Sequence, residues 1–145
     1  MDLGSPAIDA IVLLLAFLWM RLVWWKAAMN AEEKDAEVRS RGAAAITNQV
    51  NGMLTAASIV AAGIGAMFAI GLQNLPPTTR SVLVVAGSDA LVSLVIGVWI
   101  LGYITSVQHR LDVTRKAAVQ LACWVEVALI ALASVRFILA LWSMG

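Results

Sequence analysis

The sequence has 145 residues, of which 61% are hydrophobic and 13% are charged, and its mean hydropathy is +0.88. A water-soluble domain of this size would need far more polar surface, so the composition predicts an integral membrane protein surrounded by lipid. A formal net charge of +1, one cysteine and one histidine predict no nucleic-acid partner, no metal site and no cofactor.

Four long apolar runs, at about 7–25, 46–72, 82–107 and 117–144, fill most of the chain. Each is close to or above the roughly 20 residues that a helix needs to cross about 30 Å of hydrocarbon. The sequence therefore predicts an all-α fold in which a single domain, residues 1–145, forms an integral membrane bundle of four transmembrane helices.

The first run has no basic residues before it, which favours a retained membrane anchor over a cleaved signal peptide. The segment that follows, 26–42, is rich in Ala, Glu, Lys and Arg and contains no Pro or Gly before Gly42. These residue types favour helix, so we expect span one to continue as a helical cytoplasmic extension.

The second run carries small residues at every fourth position, which lets another helix backbone approach closely. These residues are Ala57, Ala61, Gly65 and Ala69. Four helices of this length bury few side chains completely, so we expect the small-residue row to support a homo-oligomer or a larger membrane complex.

The turn after span two contains Pro76 and Pro77, and the second proline suits the first turn of span three. Basic residues concentrate between spans one and two and between spans three and four, whereas only Arg80 follows span two. The positive-inside rule then places both termini on the non-cytoplasmic side, in a bacterial inner membrane or a plasma membrane.

Two charged residues fall at similar depth in the half of the membrane that we expect to be cytoplasmic. Glu126 lies about nine residues into span four, which is near 13 Å at about 1.5 Å per residue. An unpaired charge at that depth costs roughly 2.5 kcal/mol or more, so it needs a partner, a proton or water. We predict that Arg21 of span one reaches Glu126.

Three further charged residues fall in the other half of the membrane. Arg136 shares the face of Glu126 on span four, and Asp9 and Asp89 are the acids that can pair with it. One carboxylate then remains unpaired. We expect this to be Asp89, because its face continues through Ser93 and Gly97 and could line a wet path for an ion.

These charges leave two functions open. One is a small homo-oligomeric channel or transporter subunit that moves a small cation or protons past Asp89, Ser93 and Glu126. The alternative is an accessory or assembly subunit of a larger membrane complex, in which the same charges are structural ion pairs. Because the sequence holds no nucleophile with a base beside it, we do not expect an enzyme.

Aromatic and basic residues occupy several distinctive positions in the spans. They are Trp24-Trp25 in span one, Tyr103 and Gln108-His109-Arg110 at the end of span three, and Arg136-Phe137 and Leu141-Trp142 in span four. In these positions the chain resembles an uncharacterised four-span membrane family of bacteria and plants, defined only as a domain of unknown function. The resemblance implies a four-helix membrane fold and no particular activity.

Overall fold

The structure, a computed structural model, describes residues 6–32, 36–71, 75–106 and 117–144. Those residues form four helices, which are α1 (Pro6–Glu32), α2 (Ala36–Gly71), α3 (Pro77–Ser106) and α4 (Ala117–Trp142). The predicted all-α class is confirmed. The described residues of each apolar run lie in one helix, apart from Ser143 and Met144 after α4, while α1 extends to Glu32 and α2 begins at Ala36, well outside their runs.

Within the described residues, three helical segments are long and apolar enough to cross a membrane. They are Ala44–Ala69, Pro77–Thr105 and Ala118–Trp142. This confirms the predicted membrane protein with transmembrane helices. Span one, which was expected in α1, stays a prediction.

The segment 26–42 is shared between two helices. α1 continues past its apolar run to Glu32, and from Ala36 onward the chain belongs to α2. The placement of this segment in the cytoplasm stays a prediction. Many of the basic residues used for the orientation, such as Lys34 and Arg110, lie outside the described residues, as does the motif Gln108-His109-Arg110.

Local sequence explains where α2 ends and α3 begins. Gly71 closes α2 with a φ of 112°, a left-handed conformation that glycine adopts without steric cost. Pro77 opens α3 as expected, and the Arg80 amide donates to the Pro76 carbonyl at 3.0 Å to form the first turn. Spans two and three therefore form a hairpin.

The helices are arranged so that α1 and α3 each pack against both α2 and α4, and α2 also contacts α4. Two clusters of buried apolar side chains form the core. One contains Ile46, Val50 and Ile100, and the other contains Ala57, Leu83 and Ala133. The buried polar residue Ser93 lies between the two clusters along α3, and the buried Glu126 lies beside Cys123 and Val127 of the first cluster along α4.

Candidate functional site

A cluster of three charged residues joins three helices. Arg136 of α4 donates one hydrogen bond to Asp9 of α1, at 2.7 Å, and another to Asp89 of α3. The Arg136 and Asp89 side chains are only 19% and 18% exposed, while that of Asp9 is 36% exposed. We call Asp9, Asp89 and Arg136 the charge cluster. Its formal charge is negative, because two carboxylates share one guanidinium.

The charge cluster confirms the predicted pairing of Arg136 and extends it. The sequence suggested Asp9 or Asp89 as the partner, and the planar guanidinium binds both through separate nitrogen atoms. Asp89, which we expected to be the unpaired carboxylate, is therefore paired. The expectation overlooked that one arginine carries enough donors for two acids.

Glu126 is the unpaired carboxylate instead. Its side chain is 0% exposed, and neither carboxylate oxygen has a hydrogen-bond partner within the part of the chain that the structure describes. It lies eight residues after Ala118 in a span that ends at Trp142, about 12 Å from one end and about 24 Å from the other. The carboxyl group is thus deep inside the apolar region.

The predicted Arg21–Glu126 pair is not present. Arg21 is exposed, Glu126 is fully buried, and no hydrogen bond joins them. The face of α1 that enters the core carries Ala16 and Met20, four residues apart. Arg21 follows Met20 by one residue, which rotates its side chain by about 100° away from that face. Similar depth was therefore not sufficient for contact.

The face of α3 that bears Asp89, Ser93 and Gly97 packs against α4. Ser93 is 0% exposed, and its hydroxyl donates to the backbone carbonyl of Glu126 at 3.4 Å. One turn further along α3, Gly97 lies against the Glu126 carboxyl group, and Oε1 occupies the space that a side chain at this position would need. In this structure the face therefore forms a helix contact and does not line an open path.

A leucine from a third helix completes the surroundings of Glu126. A Cβ atom added to Gly97 would lie 2.6 Å from Leu54 Cδ2 and 3.0 Å from Leu54 Cγ, in addition to its contact with Glu126 Oε1. Leu54 and the carboxyl group therefore share the space beside Gly97. We call Glu126, Gly97, Leu54 and Ser93 the carboxyl site.

The small-residue row of α2 turns from the core to the surface along the helix. Ala57 is fully buried and Ala61 is partly buried, whereas Gly65 and Ala69 are exposed. The first half of the row therefore packs inside the bundle. The second half is available to a neighbouring molecule.

The carboxyl site offers few ligands for a metal ion. Among the described residues, no group of three or more His, Cys, Asp or Glu side chains is close enough to hold one. Cys123, one turn before Glu126 on α4, is buried in the first core cluster. Trp124 is a second residue with a buried polar side-chain atom, its indole nitrogen, that has no described hydrogen-bond partner.

Sequence reasoning did not find Leu54 as part of the site. An isolated leucine in an apolar span carries no signal that distinguishes a lipid contact from a contact with a buried carboxyl group. Gly97 was predicted to share one face of span three with Asp89 and Ser93, but its position beside Glu126 depends on the rotation of two helices. Neither property is encoded in local spacing.

Comparisons of this chain with protein-family models, with curated protein sequences and with solved structures found no match. The resemblance to a four-span family therefore stays a prediction. The candidate function has to be argued from the charge cluster and the carboxyl site.

Proposed function

We propose that this chain is a subunit of a small homo-oligomeric membrane channel or transporter that moves protons, with Glu126 as the group that binds them. The observation that carries this proposal is the complete burial of a carboxyl group without a described hydrogen-bond partner. A permanent charge there would be costly, whereas a group that takes up and releases a proton is uncharged for part of its cycle.

The surroundings of Glu126 favour a proton over a metal cation. Leu54 and Gly97 present apolar surface to Oε1, and the aspartate nearest in sequence to Ser93 on the same α3 face, Asp89, is bound to Arg136. A dehydrated alkali cation needs several oxygen ligands, while a proton needs one. In this proposal Asp89 and Arg136 set the electrostatic field of the pathway and Glu126 carries the proton.

The proposal includes four membrane spans. α1 has 27 residues and is about 40 Å long, and it exposes Ile11, Leu15 and Leu22 to its surroundings. Basic residues between spans one and two and between spans three and four support non-cytoplasmic termini in a bacterial inner or plasma membrane. Labelling of single cysteines in a Cys123→Ser background from each side of the membrane tests this orientation.

Self-association is supported by the exposed half of the small-residue row. Gly65 and Ala69 leave the α2 backbone accessible, and a Cβ added to Gly65 would have no neighbour within 4 Å. Lipid provides little hydrophobic drive for helix association, so close backbone contact is the usual source of affinity. We propose that a second copy, surrounded by membrane lipids, packs on this surface.

The test is ion flux through purified protein in liposomes. We expect wild-type protein to move protons under an imposed membrane potential and to move little sodium or potassium. Glu126→Gln should abolish the flux while the oligomer persists, and Asp89→Asn should lower it less because Asp9 still holds Arg136. Glu37→Gln is the matched control, since it makes the same chemical change at an exposed position outside the candidate spans.

A second candidate function follows from the charge cluster. Arg136 and its two aspartates connect three helices, as expected where ion pairs fix helix neighbours inside lipid. An accessory or assembly subunit of a larger membrane complex needs this structural role and no pathway. Folded protein that shows no flux under any gradient would contradict the transport proposal and favour this alternative, and co-purification from native membranes would then identify the complex.

A further inference from the structure

One partly buried side chain of α2, Leu54, lies directly beside the carboxyl site residue Gly97. Leu54 is partly buried, and it lies on the side of Glu126 where α2 meets α3 beside Gly97. Gly97 has no side chain that could add a second layer at this point. Leu54 is thus a partly buried side chain of α2 that lies next to the buried carboxyl group.

Polar side chains lie on the outer side of Leu54. Asn51, Thr55 and Ser58 are its neighbours on α2, at three positions before, one after and four after, and all three are exposed. The Ser58 hydroxyl donates to the backbone carbonyl of Leu54 at 2.8 Å, and that of Thr55 donates to the carbonyl of Asn51 at 2.9 Å. We call Asn51, Thr55 and Ser58 the polar row.

The polar row can order water molecules at this depth. Each hydroxyl uses its proton in the bond to the backbone and keeps acceptor capacity, and the amide of Asn51 has both donors and an acceptor. Leu54 lies ten residues after Ala44, about 15 Å into its span, so the row and the carboxyl site share one level of the membrane. Leu54 thus adjoins the carboxyl group beside Gly97 and adjoins the polar row along α2.

We propose that Leu54 is the hydrophobic gate that controls proton access to Glu126 from the polar row. This inference rests on the proposed function, because it assumes that Glu126 exchanges its proton. In the open state, water contacts the carboxyl group. A hydronium ion then transfers its proton to a carboxylate oxygen and leaves as water, and the reverse step breaks the acid O–H bond and returns the proton to water.

The gate accounts for the closed state of the site. A space is hydrated only where it is roomy enough and offers polar partners, and the leucine side chain fills the space beside Gly97. Movement of this one side chain lets water at the exposed polar row reach the carboxyl group. A short conformational change is therefore sufficient, without rearrangement of the helices.

The experiment measures exchange of the Glu126 acid proton for deuterium by infrared spectroscopy. The acid carbonyl band is assigned by its disappearance in Glu126→Gln, and the protein is the full chain in liposomes. We expect Leu54→Ala to accelerate exchange by about tenfold or more, because truncation opens a space that has polar neighbours and fills with water. Leu54→Val should accelerate exchange less, and this smaller truncation keeps the test possible if Leu54→Ala does not fold.

Leu75→Ala is the matched control. Leu75 is a partly buried leucine that packs against the second core cluster, and it precedes α3, a long way along the bundle from Gly97. Equal exchange rates in wild type and both Leu54 variants would overturn the gate, as would equal acceleration by Leu75→Ala. Absence of an acid band that depends on Glu126 would overturn it as well.

Proton flux separates this inference from the proposed function. We expect Leu54→Ala to raise passive proton flux and the double variant with Glu126→Gln to abolish the increase. If exchange accelerates in Leu54→Ala but neither wild type nor variant moves protons, the gate stands and the transport function fails. If wild type moves protons and exchange is unchanged in both Leu54 variants, the transport function stands and the gate fails.

Discussion

At the scale of single residues, the absence of a side chain at Gly97 matters as much as the presence of one at Glu126. The carboxyl group and Leu54 both occupy the space that any larger residue at position 97 would claim. Since interiors are closely packed, such a space is available only if nothing else fills it. Gly97 is thus a positioning residue for Glu126.

Gly97→Ala tests this role. The added methyl group would overlap Glu126 Oε1 and lie 2.6 Å from Leu54 Cδ2, so we expect a loss of about 1–3 kcal/mol in the free energy of unfolding from overpacking. Gly102→Ala on the same helix has no neighbour within 4 Å and should gain about 0.5–1 kcal/mol from helix propensity. Detergent unfolding measures both, and equal effects would argue against the assigned contact.

At the scale of helices, the lengths of the apolar runs were sufficient to predict α1 to α4, because hydrocarbon thickness sets helix length in a membrane. The rotation of each helix about its axis was not predictable. In a soluble bundle the polar face marks the outside, but here the lipid-facing and core-facing surfaces are equally apolar. This explains why depth predicted a correct partner for Arg136 but a wrong partner for Arg21, which lies one residue off the buried face of α1.

The contact between α2 and α4 gives a prediction at this scale. A Cβ on Gly63 would lie 2.8 Å from Cζ of Phe137, so Gly63→Ala forces the phenyl ring outward and should cost about 1 kcal/mol. Gly52→Ala on the same helix is the control, since a Cβ there meets nothing within 4 Å. Because the shorter side chain relieves the overlap, Gly63→Ala/Phe137→Leu should lose less free energy of unfolding than the sum of the two single variants. Additive losses measured by detergent unfolding would contradict the contact.

At the scale of the whole molecule, the charge cluster is a polar connection that links α1, α3 and α4 together. Its residues were found from depth and charge alone, because acids and bases inside lipid have few possible partners. The carboxyl site could be only half predicted. Glu126 was evident as a buried charge, but its contact with Leu54, and the lack of a hydrogen bond from an arginine among the described residues, depend on tertiary packing.

Removal of Arg136 should affect the entire bundle. Arg136→Ala leaves Asp9 and Asp89 without their shared cation, and we expect a loss of about 3–5 kcal/mol in the free energy of unfolding. Arg136→Lys should recover only part of it, since an ammonium group lacks the fork that reaches both acids. Arg80→Ala, at an exposed position in the first turn of α3, is the control. Similar stability of the Arg136 and Arg80 variants would show that the cluster is not needed.

The charge cluster also bears on how the protein is made. Asp9 and Arg136 are 127 positions apart, and Asp89 is synthesised between them. In the proposed four-span arrangement, α1 and α3 enter the bilayer with unneutralised aspartates before α4 is synthesised. Arrival of Arg136 neutralises one of these charges and links α1 and α3 to α4. A nascent chain without α4 therefore differs electrically from the finished protein, which gives membrane quality control a physical feature to recognise.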